Sequence, residues 1–320
     1  MAHYDIFNGD ADGICSLIQL RLADPKNTFL VTGVKRDIQL LQKVDFNAGD
    51  TATVLDISME KNHQALVTAL GKGVSVFYAD HHRAGDIPPS TLLEAHINTA
   101  STTCTGLIID YYLDGKHREW AIVAAFGDNM LTAAEEYCRQ LGLSDEEISL
   151  LKKLGVAMNY NGYGSSEADL YYSPVELYQV AVRYESPFEF IAQEPDVFNT
   201  LTKGYDDDMV KGLTIPPDKE SKTAAMISLP DKRWARRVSG VLGNELANKH
   251  PGRAHAILTE LPDKPGHFQI SIRAPKSNPT DADSLAMQFG GGGRKSAAGI
   301  NDIAEEDLPV FWQALESTYA

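Results

Sequence analysis

Short apolar segments alternate with amphipathic stretches along the first half of the chain. Residues 4–7, 53–57 and 74–79 are apolar runs of strand length, whereas residues 14–22 and 63–70 carry apolar positions at helical spacing. Strands that alternate with helices are typical of a parallel sheet covered by helices on both faces. We therefore expect an α/β fold with a doubly wound, mostly parallel sheet in the N-terminal half.

The pattern changes further along the chain. It is mostly helical and rich in tyrosine from about residue 135 to residue 222. After that, strands are expected at residues 224–229, 254–259 and 267–273, with a helix over residues 234–248 between the first two. This mixture predicts a second, smaller α/β domain.

The length of 320 residues suits about two domains. We expect a catalytic domain at residues 1–190, a helical linker region at 191–220 and the smaller C-terminal domain at 221–320. The linker region contains an acidic run that ends at Asp208. A run of like charge on a helix predicts a solvated surface.

The composition is that of a globular protein with a strong acidic balance. Hydrophobic residues make up 43% of the chain, and the formal net charge is −15. Proteins that bind long nucleic acids usually present a basic surface, because neutralising phosphates releases counterions. The acidic balance therefore disfavours a processive nuclease on long DNA and leaves small phosphorylated substrates open.

The cysteines and the apolar runs indicate the compartment. Cys15, Cys104 and Cys138 are odd in number and lack a C-x-x-C spacing, which disfavours disulfides and a thiolate zinc site. We expect each to be a small buried apolar residue. No apolar run approaches the ~20 residues of a membrane span, and no secretory signal pattern is visible, so we expect a cytoplasmic protein without a membrane partner.

Acidic residues and histidines follow the predicted strands of the first half. They lie in four short segments, at residues 8–13, 54–58, 78–82 and 126–129. Ligands of parallel sheets bind beyond the carboxyl ends of the strands, so these side chains are expected to converge. Divalent cations prefer carboxylate oxygens, and imidazole suits a borderline metal such as Mn²⁺. The pattern predicts a cage for divalent cations.

Each segment alone also has a structural interpretation. An aspartate after a strand, such as Asp56, commonly caps the next helix, and the same holds for Asp128. Residues 8–13 match the opening of a calcium loop, but Gln19 stands where that loop requires a bidentate glutamate. The occurrence of all four segments, in order along one predicted sheet edge, favours a metal centre.

Together these motifs resemble the DHH phosphoesterase superfamily, of the RecJ-like or nanoRNase-like type. In the N-terminal half the resemblance is carried by Asp10, Asp12, Gly13, Asp56, Asp80, His81, His82, Gly127 and Asp128. The glycine-rich residues 289–299 are similar to the signature of the DHH-associated C-terminal domain. The resemblance implies a metal-dependent hydrolase.

The resemblance also implies roles for individual positions. It implies two divalent cations, with Mn²⁺ expected and Mg²⁺ or Co²⁺ as alternatives, whose ligands are Asp10, Asp12, Asp56, His81 and Asp128. Asp56 is implied as the bridging carboxylate, His82 as the catalytic group facing the scissile phosphate, and Asp80 as a residue that orients a histidine. The implied substrate contacts, in a cleft between the domains, are Arg273, Gly291, Gly292, Gly293 and Arg294.

Three positions depart from the family pattern. Ile6 stands where many members carry a histidine, and Asn8 stands where RecJ-like members carry a further acid. One cation site is therefore expected to be weaker or completed by water. Arg294 replaces the histidine that commonly continues the glycine signature, and it brings a permanent cation with a planar fork of donors.

The expected function is hydrolysis of phosphodiester or phosphomonoester bonds in short nucleotides, such as nanoRNA, linear dinucleotides or 3′-phosphorylated nucleotides. The expected partner is thus a small phosphorylated substrate or a short oligonucleotide, and a homodimer is left open. The alternatives are a RecJ-like single-strand exonuclease, an exopolyphosphatase, and a non-catalytic regulator that binds metal or nucleotide.

Overall fold

The computed structural model describes residues 1–320. They form two compact units, Met1–Gly204 and Tyr205–Ala320. The division lies within the range expected as a linker, and it falls inside a helix, Pro195–Leu213, rather than in an irregular stretch. None of the helices combines the length and the apolar character that a membrane-spanning helix needs.

The first unit is built on a parallel sheet. Its strands are β1 (His3–Phe7), β2 (Phe29–Val31), β3 (Thr51–Leu55), β4 (Ser75–Asp80) and β5 (Leu93–Ile97). All neighbours in the order β2-β1-β3-β4-β5 are parallel. The predicted α/β class with a mostly parallel N-terminal sheet is therefore confirmed.

Helices cover both faces of this sheet. The helices of this part of the chain are α1 (Ala11–Ala23), α2 (Met59–Gly71), α3 (Thr105–Tyr112), α4 (Arg118–Gly127), α5 (Leu131–Leu141), α6 (Asp145–Asn161), α7 (Pro174–Ala181), α8 (Pro187–Gln193) and α9 (Pro195–Leu213), the last of which continues into the second unit. Successive strand residues point to opposite faces. Phe7 accordingly packs into the core beneath α1 and α4, whereas Ile6 packs into the core beneath α2. Burial on both faces explains why the strands are apolar runs without alternation.

The second unit contains a mixed sheet. Its strands are β6 (Lys219–Glu220), β7 (Ala224–Leu229), β8 (Ala254–Leu261), β9 (Lys264–Arg273), β10 (Gly292–Arg294) and β11 (Ala297–Ala304). The order is β10-β11-β9-β8-β7-β6, and only β7 and β8 are parallel neighbours. Its helices are α10 (Arg233–Lys249), α11 (Ala282–Met287) and α12 (Leu308–Thr318). The predicted C-terminal α/β architecture is confirmed.

The acidic run on α9 is not the uniformly solvated surface that the sequence predicts. Asp206 and Asp207 are exposed, but Asp208 is fully buried. Both Nε and Nη2 of Arg237 donate to Asp208 Oδ2, at 2.9 and 2.7 Å. The prediction failed for Asp208 because consecutive helical positions point in directions about 100° apart, so three adjacent residues cannot share one exposed face.

Candidate metal centre

The predicted acidic residues lie at the carboxyl-terminal edge of the first sheet. Asp10 follows β1 and caps α1, with Oδ1 accepting from the backbone N–H groups of Asp12 and Gly13. Asp56 follows β3 directly, and Asp80 is the last residue of β4. Asp128 caps the end of α4, which packs against α1 in the same core. Strands and helices far apart in sequence thus present carboxylates to one region.

His81 lies among these carboxylates. Its Nε2 is 3.5 Å from Asp56 Oδ1, 3.6 Å from Asp128 Oδ2 and 3.9 Å from Asp12 Oδ2. Its Nδ1 is 3.2 Å from the carbonyl oxygen of Thr103. A hydrogen on Nδ1 donates to that carbonyl, which leaves the Nε2 lone pair directed at the carboxylates. Metal-binding histidines are commonly oriented in this way.

Asp12 is fixed by the start of α3. Its Oδ2 accepts from the backbone N–H of Thr105 at 2.8 Å, and its Oδ1 accepts from that of Gly106 at 2.7 Å. The first N–H groups of a helix have no partner within the helix, so a carboxylate satisfies them well. A Cβ on Gly106 would lie 2.4 Å from the Cβ of Ala124, so the close approach of α3 requires glycine here.

Asp56 has an unusual backbone and a buried carboxylate. Its φ of 58° lies in the left-handed region, which non-glycine residues seldom occupy and which aspartate tolerates better than most. Oδ1 accepts from the hydroxyl of Thr105 at 3.1 Å. Burial, reinforced by the neighbouring carboxylates of Asp12 and Asp10, raises the pKa of Asp56 well above its usual value. Burial and these carboxylates therefore disfavour its anion.

His82 is held by Asp80. The distance from Nδ1 of His82 to Oδ1 of Asp80 is 2.7 Å, and Asp80 is fully buried while His82 is partly exposed. This hydrogen bond raises the pKa of His82. The resemblance assigns Asp80 to orienting a histidine, and the histidine that it contacts is His82.

Asp10 and Asn8 are bound mainly by protein groups. The ammonium of Lys35 donates to Asp10 Oδ2 at 2.5 Å and to Asn159 Oδ1 at 2.8 Å. Asn8 Oδ1 accepts from the backbone of Asp10, and Asn8 Nδ2 donates to the carbonyl of Lys35. Burial alone would raise the pKa of Asp10, but the charge of Lys35 holds it below its usual value.

The donor set fits a divalent cation. Ligand atoms of Asp12, His81 and Asp128 lie within 4.8 Å of one another, as do those of Asp56, His81 and His82. Burial and the proximity of Asp12 raise the pKa of Asp128 to about 6. Crowded carboxylates with raised pKa values are stabilised as anions by a bound cation. Asp12, Asp56 and Asp128 each place an oxygen within 3.9 Å of His81 Nε2, which makes these four residues the candidate ligand set.

Three residues that form hydrogen bonds in the candidate metal centre were not predicted from the sequence: Lys35, Thr105 and Asn159. Lys35 follows β2. Because ligands bind beyond the carboxyl ends of parallel strands, a prediction of β2 would have drawn attention to Lys35. The small polar run before α3 is a helix-start signal that would have drawn attention to Thr105. Nothing in the local sequence marks Asn159, which lies near the end of α6.

Two of the predicted substrate contacts, Arg273 and Arg294, lie in register on strands on either side of β11 in the second sheet. Arg294 on β10 pairs with Ala297 on β11, and Ala297 pairs with Arg273 on β9. Paired residues in antiparallel strands present their side chains to the same face. Arg294 is exposed, whereas the guanidinium of Arg273 donates to Asn244 Oδ1, Ser271 Oγ and the carbonyls of Gly240 and Ile272.

The glycine-rich residues 289–299 contain strand β10 and the start of strand β11. A Cβ on Gly291 would lie 2.3 Å from the carbonyl oxygen of Gly299, and one on Gly293 would lie 2.5 Å from Cα of Ala298. These two glycines therefore allow β10 to approach β11. Gly292 is different, because a Cβ there would meet open space. No neighbouring protein group requires glycine at that position.

The chain is similar in structure to several solved proteins, although its sequence matches no protein-family model and no curated protein. RecJ from Thermus thermophilus in complex with Mn²⁺ gives a TM-score of 0.66 at 16% identity, over 99% of this chain and 52% of that chain. Exonuclease RecJ bound to manganese gives a TM-score of 0.63 at 15% identity, over 99% of this chain and 90% of that chain. The pGpG-specific phosphodiesterase PggH from Vibrio cholerae gives a TM-score of 0.57 at 15% identity, over 100% of this chain and 99% of that chain.

These likenesses extend over both units of the chain. The chain spans about half the length of the Thermus RecJ structure but nearly the full length of PggH. Identities this low establish a shared fold, and the roles of individual residues require their own argument. The chain shares its fold with the RecJ structures and with PggH.

Proposed function

We propose that the chain is a divalent-metal-dependent phosphoesterase that hydrolyses phosphodiester or phosphomonoester bonds of short nucleotides. The observation that carries the proposal is the position of His81 Nε2, 3.5 to 3.9 Å from oxygens of Asp12, Asp56 and Asp128. Its other ring nitrogen is already bonded to Thr103. The fold likeness to two manganese-bound RecJ structures and to a phosphodiesterase supports this chemistry.

The cation is proposed to be Mn²⁺, with Mg²⁺ or Co²⁺ as alternatives, held by Asp12, Asp56, His81 and Asp128. When bound, it supplies positive charge that polarises the phosphoryl group. Two oxygens of Asp12 are held by α3, which keeps that carboxylate from rotating. Rigid ligands hold a reacting group in one orientation and lower the entropic part of the barrier.

His82 is proposed as the acid of the reaction. Asp80 fixes its Nδ1, which leaves Nε2 to donate to the phosphoryl oxygen or to the leaving oxygen. The hydrogen bond to Asp80 raises the pKa of His82, which favours the protonated ring that an acid requires. Asp80 acts through His82 and is thus a positioning residue.

The substrate is proposed to be a linear dinucleotide, a nanoRNA or a 3′-phosphorylated nucleotide. The formal charge of −15 disfavours long nucleic acids. The match to PggH, a pGpG-specific phosphodiesterase, over nearly the whole of both chains favours a short substrate. Gly292 and Arg294 are proposed to contact the substrate, because one has no Cβ and the other offers an exposed cation.

The test is a turnover assay with metal-stripped protein. Mn²⁺, Mg²⁺ and Co²⁺ are restored separately, and the substrates are dinucleotides, longer oligonucleotides, polyphosphate and nucleoside bisphosphates. Turnover of dinucleotides that requires a metal is the expected result, and Asp56→Ala and His82→Ala should abolish it. Asp86→Ala, which alters an exposed residue close by in sequence, is the control. Turnover that persists in Asp56→Ala would contradict the proposed site.

A further inference from the structure

The ammonium of Lys35 lies at the edge of the carboxylate cluster. Its Nζ is 2.5 Å from Asp10 Oδ2, 2.8 Å from Asn159 Oδ1 and 3.7 Å from Asp128 Oδ1. The backbone of Lys35 is also fixed, because its N–H donates to the carbonyl of Gly162 and its carbonyl accepts from Asn8. Lys35 thus contributes a positive charge at a defined position.

The groups that would bind a second cation are paired with a positive charge or lack a carboxylate. Asp10 Oδ2 is paired with the Lys35 ammonium, whereas the oxygens of Asp12 accept only from neutral backbone N–H groups and keep lone pairs for a cation. The side chain of Asn8 is bonded at both its oxygen and its nitrogen. Ile6 is fully buried in the core beneath α2 and offers no ligand atom. A second cation near Asp10 would have to displace Lys35.

The remaining ligands surround a single atom, His81 Nε2. Oxygens of Asp12, Asp56 and Asp128 lie 3.5 to 3.9 Å from it, and His81 is common to both groups whose ligand atoms lie within 4.8 Å of one another. Its Nδ1 is bonded to Thr103, so only Nε2 is left for a metal. A neutral imidazole nitrogen accepts through a single lone pair and serves one cation. Neither group contains Asp10.

We propose that this chain binds a single divalent cation, at Asp12, Asp56, His81 and Asp128, and that the Lys35 ammonium is the second positive charge of the site. Lys35 neutralises Asp10 and lies close enough to Asp128 to lower the negative potential there. The inference rests on the cation site of the proposed function. It differs from the two-cation arrangement implied by the sequence resemblance, because a lysine takes the place of one ion.

The test measures bound metal on the full chain instead of turnover. Equilibrium dialysis with Mn²⁺ should give one ion per wild-type chain, and electron paramagnetic resonance should show no spin-coupled pair. Lys35→Met should bind Mn²⁺ at least about tenfold more tightly, because a neighbouring positive charge is removed. Lys35→Arg should keep the wild-type affinity, since it keeps the charge.

The matched control is Lys43→Met, which breaks an ion pair to Asp37 in which both side chains are about half exposed. It should leave stoichiometry and affinity unchanged. Two Mn²⁺ per wild-type chain, a spin-coupled pair, or unchanged affinity in Lys35→Met would each overturn the inference. A chain that binds one Mn²⁺ and hydrolyses no phosphoester would contradict the proposed function and still support the role of Lys35.

Discussion

Asp80 and His82 form a hydrogen bond of 2.7 Å between Oδ1 and Nδ1, with the carboxylate fully buried and the imidazole partly exposed. Glu94 and His96 make a similar contact of 2.8 Å at the same sequence spacing, on β5 and outside the carboxylate cluster. The first pair is part of the proposed catalytic site and the second is not. The two pairs therefore provide a matched comparison.

Asp80→Asn should lower kcat by about 10- to 100-fold, the usual cost of losing a group that orients a functional residue. Because the carboxylate raises the pKa of His82, its loss lowers that pKa. If His82 acts as the acid, activity should then be lost at lower pH than in the wild type. The measurement is the pH profile of kcat, with Mn²⁺ affinity as a check on the metal site.

Glu94→Gln should leave both the rate and the pH profile unchanged. An Asp80→Asn profile with the same alkaline limb as the wild type would argue against His82 as the acid.

Gly292→Ala should raise KM by about tenfold, equivalent to roughly 1.4 kcal/mol, without loss of stability. A Cβ there meets no protein atom, so an effect on KM would come from the substrate. Gly293→Ala is the matched comparison, because its φ of 152° and its contact with Ala298 make a side chain costly. That variant should lose about 1–3 kcal/mol of stability. An unchanged KM in Gly292→Ala would remove this position from the substrate site.

Asp208→Ala should destabilise the second unit by about 3–5 kcal/mol, because it removes the buried carboxylate that accepts two hydrogen bonds from the buried guanidinium of Arg237. Asp207→Ala changes the adjacent exposed carboxylate and should have an effect within about 0.5 kcal/mol. Urea unfolding followed by circular dichroism measures both. Equal effects of the two substitutions would mean that the buried pair contributes little.

The stability of the second unit should fall as the pH falls from 6.5 towards 4. Burial lowers the pKa of His255 from 6.5 to about 4, and its Nδ1 has no partner. In that interval the unfolded chain takes up a proton that the folded chain does not, so acid favours unfolding. Urea unfolding at pH 7 and pH 4.5 should show a smaller loss of stability in His255→Phe than in the wild type. An equal loss in both would exclude His255 as the cause.

The sequence was sufficient to predict the strands that carry the site. The predicted strands of residues 4–7, 53–57 and 74–79 overlap β1, β3 and β4, because runs buried on both faces have a clear apolar signature. β2 was not predicted, since it has only three residues and lies at the sheet edge. Lys35 was missed with it.

The hydrogen bonds inside the site could not be predicted from the sequence. The hydrogen bonds from Thr105 and Gly106 to Asp12 join positions more than ninety residues apart. They depend on how closely α3 packs against α1 and α4, and on the small side chains that allow it. Local patterns indicated which residue types would converge. They did not indicate which oxygens would already have protein partners, as both oxygens of Asp10 do.

The most direct test of the central claim is the position of Mn²⁺ in crystals of the protein, measured by anomalous diffraction. We expect one strong peak per chain, bounded by His81 Nε2 and the carboxylates of Asp12, Asp56 and Asp128, with Lys35 still paired to Asp10. A peak away from His81, a second peak beside Asp10, or no peak at saturating Mn²⁺ would contradict this expectation.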